Sequence, residues 1–570
     1  LTLALPGTLS NAGKLIGKAA ATLTVDGAIE NTGDILVEDG LTIKSAAGTA
    51  SGALTTQSGS QINAGSITAE VASLQNTGSI TAHDTDIVLR SAGAINSAGA
   101  FEGVQDVTLQ TDSTLTNAGR LLAGRDLTVK GLNGAKAGAV TNQSGARLEA
   151  GRVLGVDASS LSNAGHLGSH GTGTTPPSLD LDLNTSTANT GTVFAKGDAV
   201  LQAASLSNSG KLLVDGAFET DAQTTNLSGA ELVAKSIKTT SGVLSNAGSI
   251  RSHGGDLLLD ARSSFSNTGR IEARGNAALT LGQSLSLTSG KLASTGTLSL
   301  TGAGGASFGN LTVGSGYVLN GSGGLTLAVS TLTNNGGVGS SNGAVNVSAT
   351  GNIVNRGLLY SGTTGHYRLD GSFTNTGADV LAETDLTIEG LSGARAGALL
   401  NDQGGIIEAV SGDMVLRVAS LTNSRTAPTI TQSSNTAVTY EGNPDTTPIN
   451  GSTAVWSTVT TTTTTDQASL NGTAAKILAG GNLSLNASSV TNDGTTSAGS
   501  SATVAPRNST SVGATALPSL TLPNSIPTQG EARSFAHMIW LALSALSCGV
   551  ILLSSVAFCL FLADPAQAVN

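Results

Sequence analysis

Short runs of alternating apolar and polar residues recur along the chain at a nearly fixed spacing. Leu127-Thr128-Val129, Leu279-Thr280-Leu281, Leu298-Ser299-Leu300 and Leu483-Ser484-Leu485 are examples. Alternation at period two turns one face inward and leaves the other in water, which predicts strands, and no 3.6-residue stripe persists beside them. Between the runs stands a recurring phrase of apolar, small, Asn, small, Gly. It reads LSNAG at Leu161–Gly165 and Leu244–Gly248, LTNAG at Leu115–Gly119, FSNTG at Phe265–Gly269 and FTNTG at Phe373–Gly377. Asn76, Asn96 and Asn117 are 20 and 21 residues apart, and Asn208, Asn226, Asn246 and Asn267 are 18, 20 and 21 apart. A fixed period near twenty marks a stack of one small unit.

Each unit reads as one coil of a parallel β-helix, so the fold class is all-β. Like residues then lie above like residues at a spacing of about 4.8 Å. The spacing predicts a stacked turn ladder of side-chain amides from Asn76, Asn96, Asn117, Asn163, Asn208, Asn246, Asn267, Asn355 and Asn375. Asn and Gly both tolerate positive φ, so each Asn-x-Gly is expected to be a sharp corner built on that freedom. A disordered polar linker has no reason to keep period and apolar positions in phase. A β-propeller needs blades of about 40–45 residues.

The repeats predict a shaft over residues 1–424. GRDLTVKGLNGAKAGAVTNQSGARLEA at Gly124–Ala150 matches ETDLTIEGLSGARAGALLNDQGGIIEA at Glu383–Ala409 at a constant offset of 259, with extra residues around Lys136 and Arg395. These read as one loop used twice, a turn insertion with one exposed cation. Residues 425–474 break the pattern with the run Thr460–Thr465 and read as a Thr-rich insertion or linker. The alternative is a hairpin pairing Thr436–Tyr440 with Ala454–Val459. Tyr440 and Trp456 are the candidate partner-binding residues there. A further unit is expected at 475–494 and a disordered linker at 495–534. Residues 535–563 form an apolar run without Lys, Arg, Asp or Glu from Ala536 to Ala563. That run predicts one hydrophobic helix, transmembrane-like or signal-like, and makes membrane insertion an expectation. The chain begins at Leu1 with the repeat running by Leu9, which reads as a fragment of a longer protein.

Composition narrows the chemistry. With 75 Gly in 570 residues, 3% aromatic and 11% charged, the chain suits a thin solenoid better than a thick globular core. The net charge of −11 argues against nucleic acid as a partner. Both cysteines, Cys548 and Cys559, lie in the apolar run, so the repeats carry no disulfide framework or Cys-based zinc site. His166 and His170 are four apart in a Gly/Ser-rich stretch that reads as a solvated turn. Asp84 and Asp86 are paired carboxylates of the type that serves polysaccharide cleavage on other β-helices. No coil gathers Asp, Arg and an aromatic platform around them. Gly254-Gly255-Asp256 resembles one unit of a calcium-binding nonapeptide array but does not recur. The reading is a non-enzymatic chain with no catalytic residues, no metal site and no cofactor.

LTNAGRLLAGRDLTV at Leu115–Val129 and ILAGGNLSLNASSVTND at Ile477–Asp493 resemble the haemagglutinin repeats of filamentous haemagglutinin and related two-partner-secretion exoproteins. ALPSLTLPNS at Ala516–Ser525 resembles a linker between repeat blocks of contact-dependent inhibition exoproteins. The resemblance covers about residues 1–525 and rests on the array of phrases. It implies a right-handed parallel β-helix, secreted or held at the outer surface of a Gram-negative bacterium after passage through an outer-membrane transporter. The expected function is the structural shaft of an adhesin, making multivalent contacts with a host-cell or neighbouring-cell receptor or glycan. The stalk of a contact-dependent growth inhibition exoprotein is the second reading, and a β-helix polysaccharide lyase or hydrolase the third.

Overall fold

The structure, a computed structural model, describes residues 1–426, 429–441, 457–469 and 472–504. Each coil carries three short strands on three faces. In one coil these are Leu74–Asn76, Ser79–Ala82 and Ile87–Ser91, and in the next Ile95–Ser97, Ala100–Gly103 and Val107–Thr111. We call them the Asn strand, the middle strand and the long strand. Each pairs in parallel with its counterpart one coil on, so Leu74 lies under Ile95, Ile80 under Phe101 and Leu89 under Leu109. The result is an all-β parallel solenoid of about 22 turns. At about 4.8 Å per turn it forms a rod on the order of 100 Å long.

The alternation seen in the sequence decides which side chains enter the core. The first and third residues of the Asn strand, the second and fourth of the middle strand, and the first, third and fifth of the long strand are buried. They form one continuous apolar column running from Leu9 to Ala487. Its largest fully buried members are Tyr367, Phe101, Phe218 and Phe373.

The glycine of the Asn-x-Gly phrase is needed for a reason other than positive φ. Among the turns of this phrase Gly377 has positive φ, whereas Gly119, Gly210 and Gly269 do not. What these glycines permit is contact between coils. A Cβ on Gly119 would lie 2.1 Å from the carbonyl oxygen of Gly99, and one on Gly210 would lie 2.0 Å from that of Gly191. Backbone at the corner stacks directly on backbone, and a methyl group has no place between the layers.

Two segments differ from the sequence reading. Residues 429–441 and 457–469 form a two-stranded antiparallel hairpin of 13 pairs rather than a linker. Its register sets Tyr440 opposite Thr458 and Thr439 opposite Val459. Residues polar on both faces give no inside–outside alternation, so the sequence pattern hides this strand pair. The solenoid then resumes in phase, with Met414 under Leu483 and Asn423 under Asn492. It also runs past 494, because Thr495–Ala498 and Ala502–Val504 pair with the coil below where a disordered linker was expected. Trp456 and the apolar run at 535–563 lie outside the described residues. Among the described residues no helix is long and apolar enough to cross a membrane.

Candidate functional site

The Asn position builds a buried column at one corner of the rod. Asn117, Asn142, Asn163, Asn189, Asn208, Asn226, Asn246 and Asn267 form an unbroken run in which each Nδ2 donates to the next Oδ1 at 2.8 Å. A second run joins Asn334, Asn355, Asn375, Asn401, Asn423 and Asn492 at 2.7–2.9 Å. The other amide hydrogen donates to a backbone carbonyl of the next coil, as from Asn117 to Arg147 and from Asn334 to Leu358. In several coils Oδ1 also accepts the N–H of the glycine two residues on, as at Gly119 and Gly336. A buried amide is costly unless both ends are bonded, and this stack bonds both.

Asn96 stands outside the column. The register places Gln75 under Asn96 and Asn76 under Ser97, whose hydroxyl accepts from Asn76 at 3.1 Å. Asn96 is the outward residue of its strand, and Thr56 likewise takes the column position one coil below Asn76.

A second column stands at the corner before the long strand. Asp86, Asp106, Asp126, Asp256, Asp385 and Asp413 each turn Oδ1 to a backbone N–H one coil on, at Asp106, Asp126, Val153, Asn276, Asp413 and Asn482. The distances are 2.7–3.2 Å. Asp86 and the Asp256 of the Gly-Gly-Asp motif are thus engaged in joining coils. Arg125 and Arg152 bind Asp106 and Asp126 bidentately along the same corner. The Arg125 bond holds the Asp106 carboxyl below its ordinary range. The sequence signal for this column is an Asp or Asn directly before the alternating run.

On the outer face of the middle strands, acids are sunk among cations from adjacent coils. Glu149 is bound by Arg147 at 2.7 Å and faced by His166 Nε2 at 3.4 Å and His170 Nε2 at 3.9 Å. His166 therefore sits on a strand beside an acid, not in a solvated turn. Burial pushes the Glu149 carboxyl up, but His170, Arg147 and His166 outweigh it and hold its pKa at about 2. Burial also lowers the pKa of His166. Glu272 is bound by Arg270 at 2.7 Å and Lys291 at 2.8 Å. On the outer face of the long strands Glu389 is bound by Arg417 at 2.6 Å and Arg368 at 3.3 Å. Among the described residues no group of three His, Cys, Asp or Glu converges as metal ligands.

The two duplicated loops act alike. Lys136 is not an exposed cation. It reaches Asp157 at 3.7 Å and Asp182, one coil beyond, at 2.6 Å. Arg395 lies in the matching place and donates through Nε to Asn486 at 2.8 Å. Asp157 pairs with Asp182, and Arg417 with Asn486, so each loop cation ties itself to the second coil onward. Asp180, on the same outer face as Asp182, has its pKa raised by burial and by Asp182 and Asp157.

These features describe a shaft whose corners and outer faces are occupied in holding coil to coil. The chain is 28% identical over 402 residues to Deoxyribonuclease CdiA of Dickeya dadantii (strain 3937), a match covering 61% of this chain. It spans about 12% of the length of that relative. No family model matches the chain, and no solved structure matches it.

Proposed function

We propose that this chain is a length of the shaft of a large secreted or surface-exposed bacterial exoprotein of the filamentous haemagglutinin type. The observation that carries the reading is the parallel stack of about 22 turns, which keeps phase across a 13-pair hairpin. A rod of this kind holds a distal module away from a surface and repeats the same outer face many times, so weak contacts sum. Its partners would be an outer-membrane transporter of two-partner secretion and a receptor or glycan on a host or neighbouring cell. Tyr440, on the hairpin, remains the candidate contact within the described residues.

A second reading, the stalk of a contact-dependent growth inhibition exoprotein, is supported by the likeness to Deoxyribonuclease CdiA. Both readings need the same shaft exposed outside the cell. The test is protease added to intact cells expressing the chain with its genomic neighbours. Digestion of the repeats without lysis is expected. Repeats that stay protected until lysis would overturn both readings. A downstream toxin domain with an immunity gene would decide for the stalk.

A further inference from the structure

The hairpin of residues 429–441 and 457–469 is a sheet of its own, and among the described residues neither strand pairs with the solenoid. All 13 pairs run without a register shift, so no bulge bends either edge. Ser434–Thr439 and Thr460–Thr464 are exposed, and the two sets lie opposite each other, so this stretch is open on both faces. A two-stranded ribbon alone in water is marginally stable. The outer edge of a ribbon's strand offers backbone N–H and C=O groups to a further strand, and natural proteins normally guard such an edge with charge, proline or a bulge.

The edge formed by Ser457–Thr465 has none of these guards. Its sequence, Ser-Thr-Val followed by six Thr, contains no charged residue, Gly or Pro. Seven of its nine residues are Thr, which favours extended backbone strongly. Asp466 and Glu441 are the charged residues among the described hairpin positions, against a net charge of −11 for the whole chain. The ribbon is therefore a part of the molecule where two copies can approach with little repulsion.

We propose that this strand pairs with the same strand of a second copy, joining two hairpins into a four-stranded antiparallel sheet that links two shafts. A two-fold axis near Thr461 sets Ser457 opposite Thr465, Val459 opposite Thr463 and Thr opposite Thr at the other positions between them. It leaves the two Asp466 residues about 30 Å apart, at opposite ends of the pairing. A parallel pairing would set Asp466 beside Asp466. The described hairpin has no Lys or Arg to recruit an acidic partner. Self-pairing satisfies the open edge with identical chemistry on both sides. It does not depend on export, so it can fail while the shaft reading stands, and the reverse.

The experiment uses the full chain in mild detergent, which masks association through the apolar segment. Sedimentation of the unaltered chain is compared with T462K/T464K, which places charge on the open edge. The unaltered chain is expected to dimerise at least tenfold more tightly, with the same far-ultraviolet circular dichroism for both. In a Cys548→Ala/Cys559→Ala background, single cysteines at Thr460, Thr461 and Thr462 should locate the axis by oxidation to a linked dimer, whereas S469C should stay monomeric. A monomer at high concentration, or a dimer that survives the two lysines and forms no cross-link at these positions, would overturn the proposal.

Discussion

Two neighbouring stretches of the Asn face are built on the same phrase and behave differently. From Asn117 to Asn246 the column is closed, its asparagines are at most 1% exposed, and the strands beneath and above are hydrogen-bonded. At Ser264–Asn267 it stops. This strand pairs with Val243–Asn246 below, but no ladder joins it to Leu285–Leu287 above. Leu287 and Val313 take the column position in the next two coils, and Asn267 gives its amide to the carbonyl of Lys291. Phe265, at an inward position, is only partly buried. At this junction the amide column and the ladder of that face stop together. The ladder resumes between Leu285–Leu287 and Leu311–Val313 with an apolar pair at the column position, but Leu287 offers no amide to Asn267.

Five measurements break or sharpen this contrast. The largest effect is expected from Gly210→Ala in the closed stretch, because the new methyl would sit on the Gly191 carbonyl. It should cost more than about 4 kcal/mol in urea unfolding. Next, Asn189→Ala removes the bonds to Asn163, Asn208 and Lys211 and leaves buried amide atoms without partners. The expected loss is about 2–4 kcal/mol. Third, Leu287→Asn and Val313→Asn together would connect the two amide runs. Each alone buries an incompletely bonded amide, so the pair should be more stable than additivity allows by about 1–2 kcal/mol in a double-mutant cycle. Fourth, the backbone amides of 264–267 should exchange with solvent about tenfold faster than those of 243–246, a difference of about 1.4 kcal/mol in local opening.

The smallest effect is confined to acid and to the outer wall of the closed stretch. Glu149 has a folded pKa of about 2, below its ordinary value of 4.5. A depressed carboxyl pKa stabilises the fold above the unfolded value, and that contribution is lost as pH falls from about 4.5 through 2. The loss should be on the order of 1 kcal/mol, and Glu149→Gln should remove this part of the pH dependence. His166, with its pKa lowered, acts in the same direction below its ordinary value of 6.5.

The period and the inward apolar positions were legible because a solenoid repeats its burial pattern at the length of its coil. The column residues were legible where the Asn stands two before the glycine. Asn96 stands three before Gly99, and counting back from the glycine selects Ser97 instead. Asn189 escaped notice because Thr187 replaces the usual leucine. The Asp column carried a signal of its own, an acid before each alternating run, that spacing of asparagines alone did not reveal. The hairpin was legible only as an alternative, with a shorter pairing than the one observed, and the reach of Lys136 and Arg395 was not legible. The first lacks a buried face, and the second depends on coils whose spacing in sequence varies with every insertion.

The hydrogen bonds between coils all run along the rod. In a parallel stack each layer grips mainly the one below and the one above, with Lys136 and Arg395 reaching one coil further. Tension applied at the two ends therefore passes through every layer in series, and the weakest junction sets the yield. Across Ser264–Asn267 and Leu285–Leu287 two ladders join the coils instead of three, so a stretched tether is expected to part there first and pay out chain while the layers on either side hold.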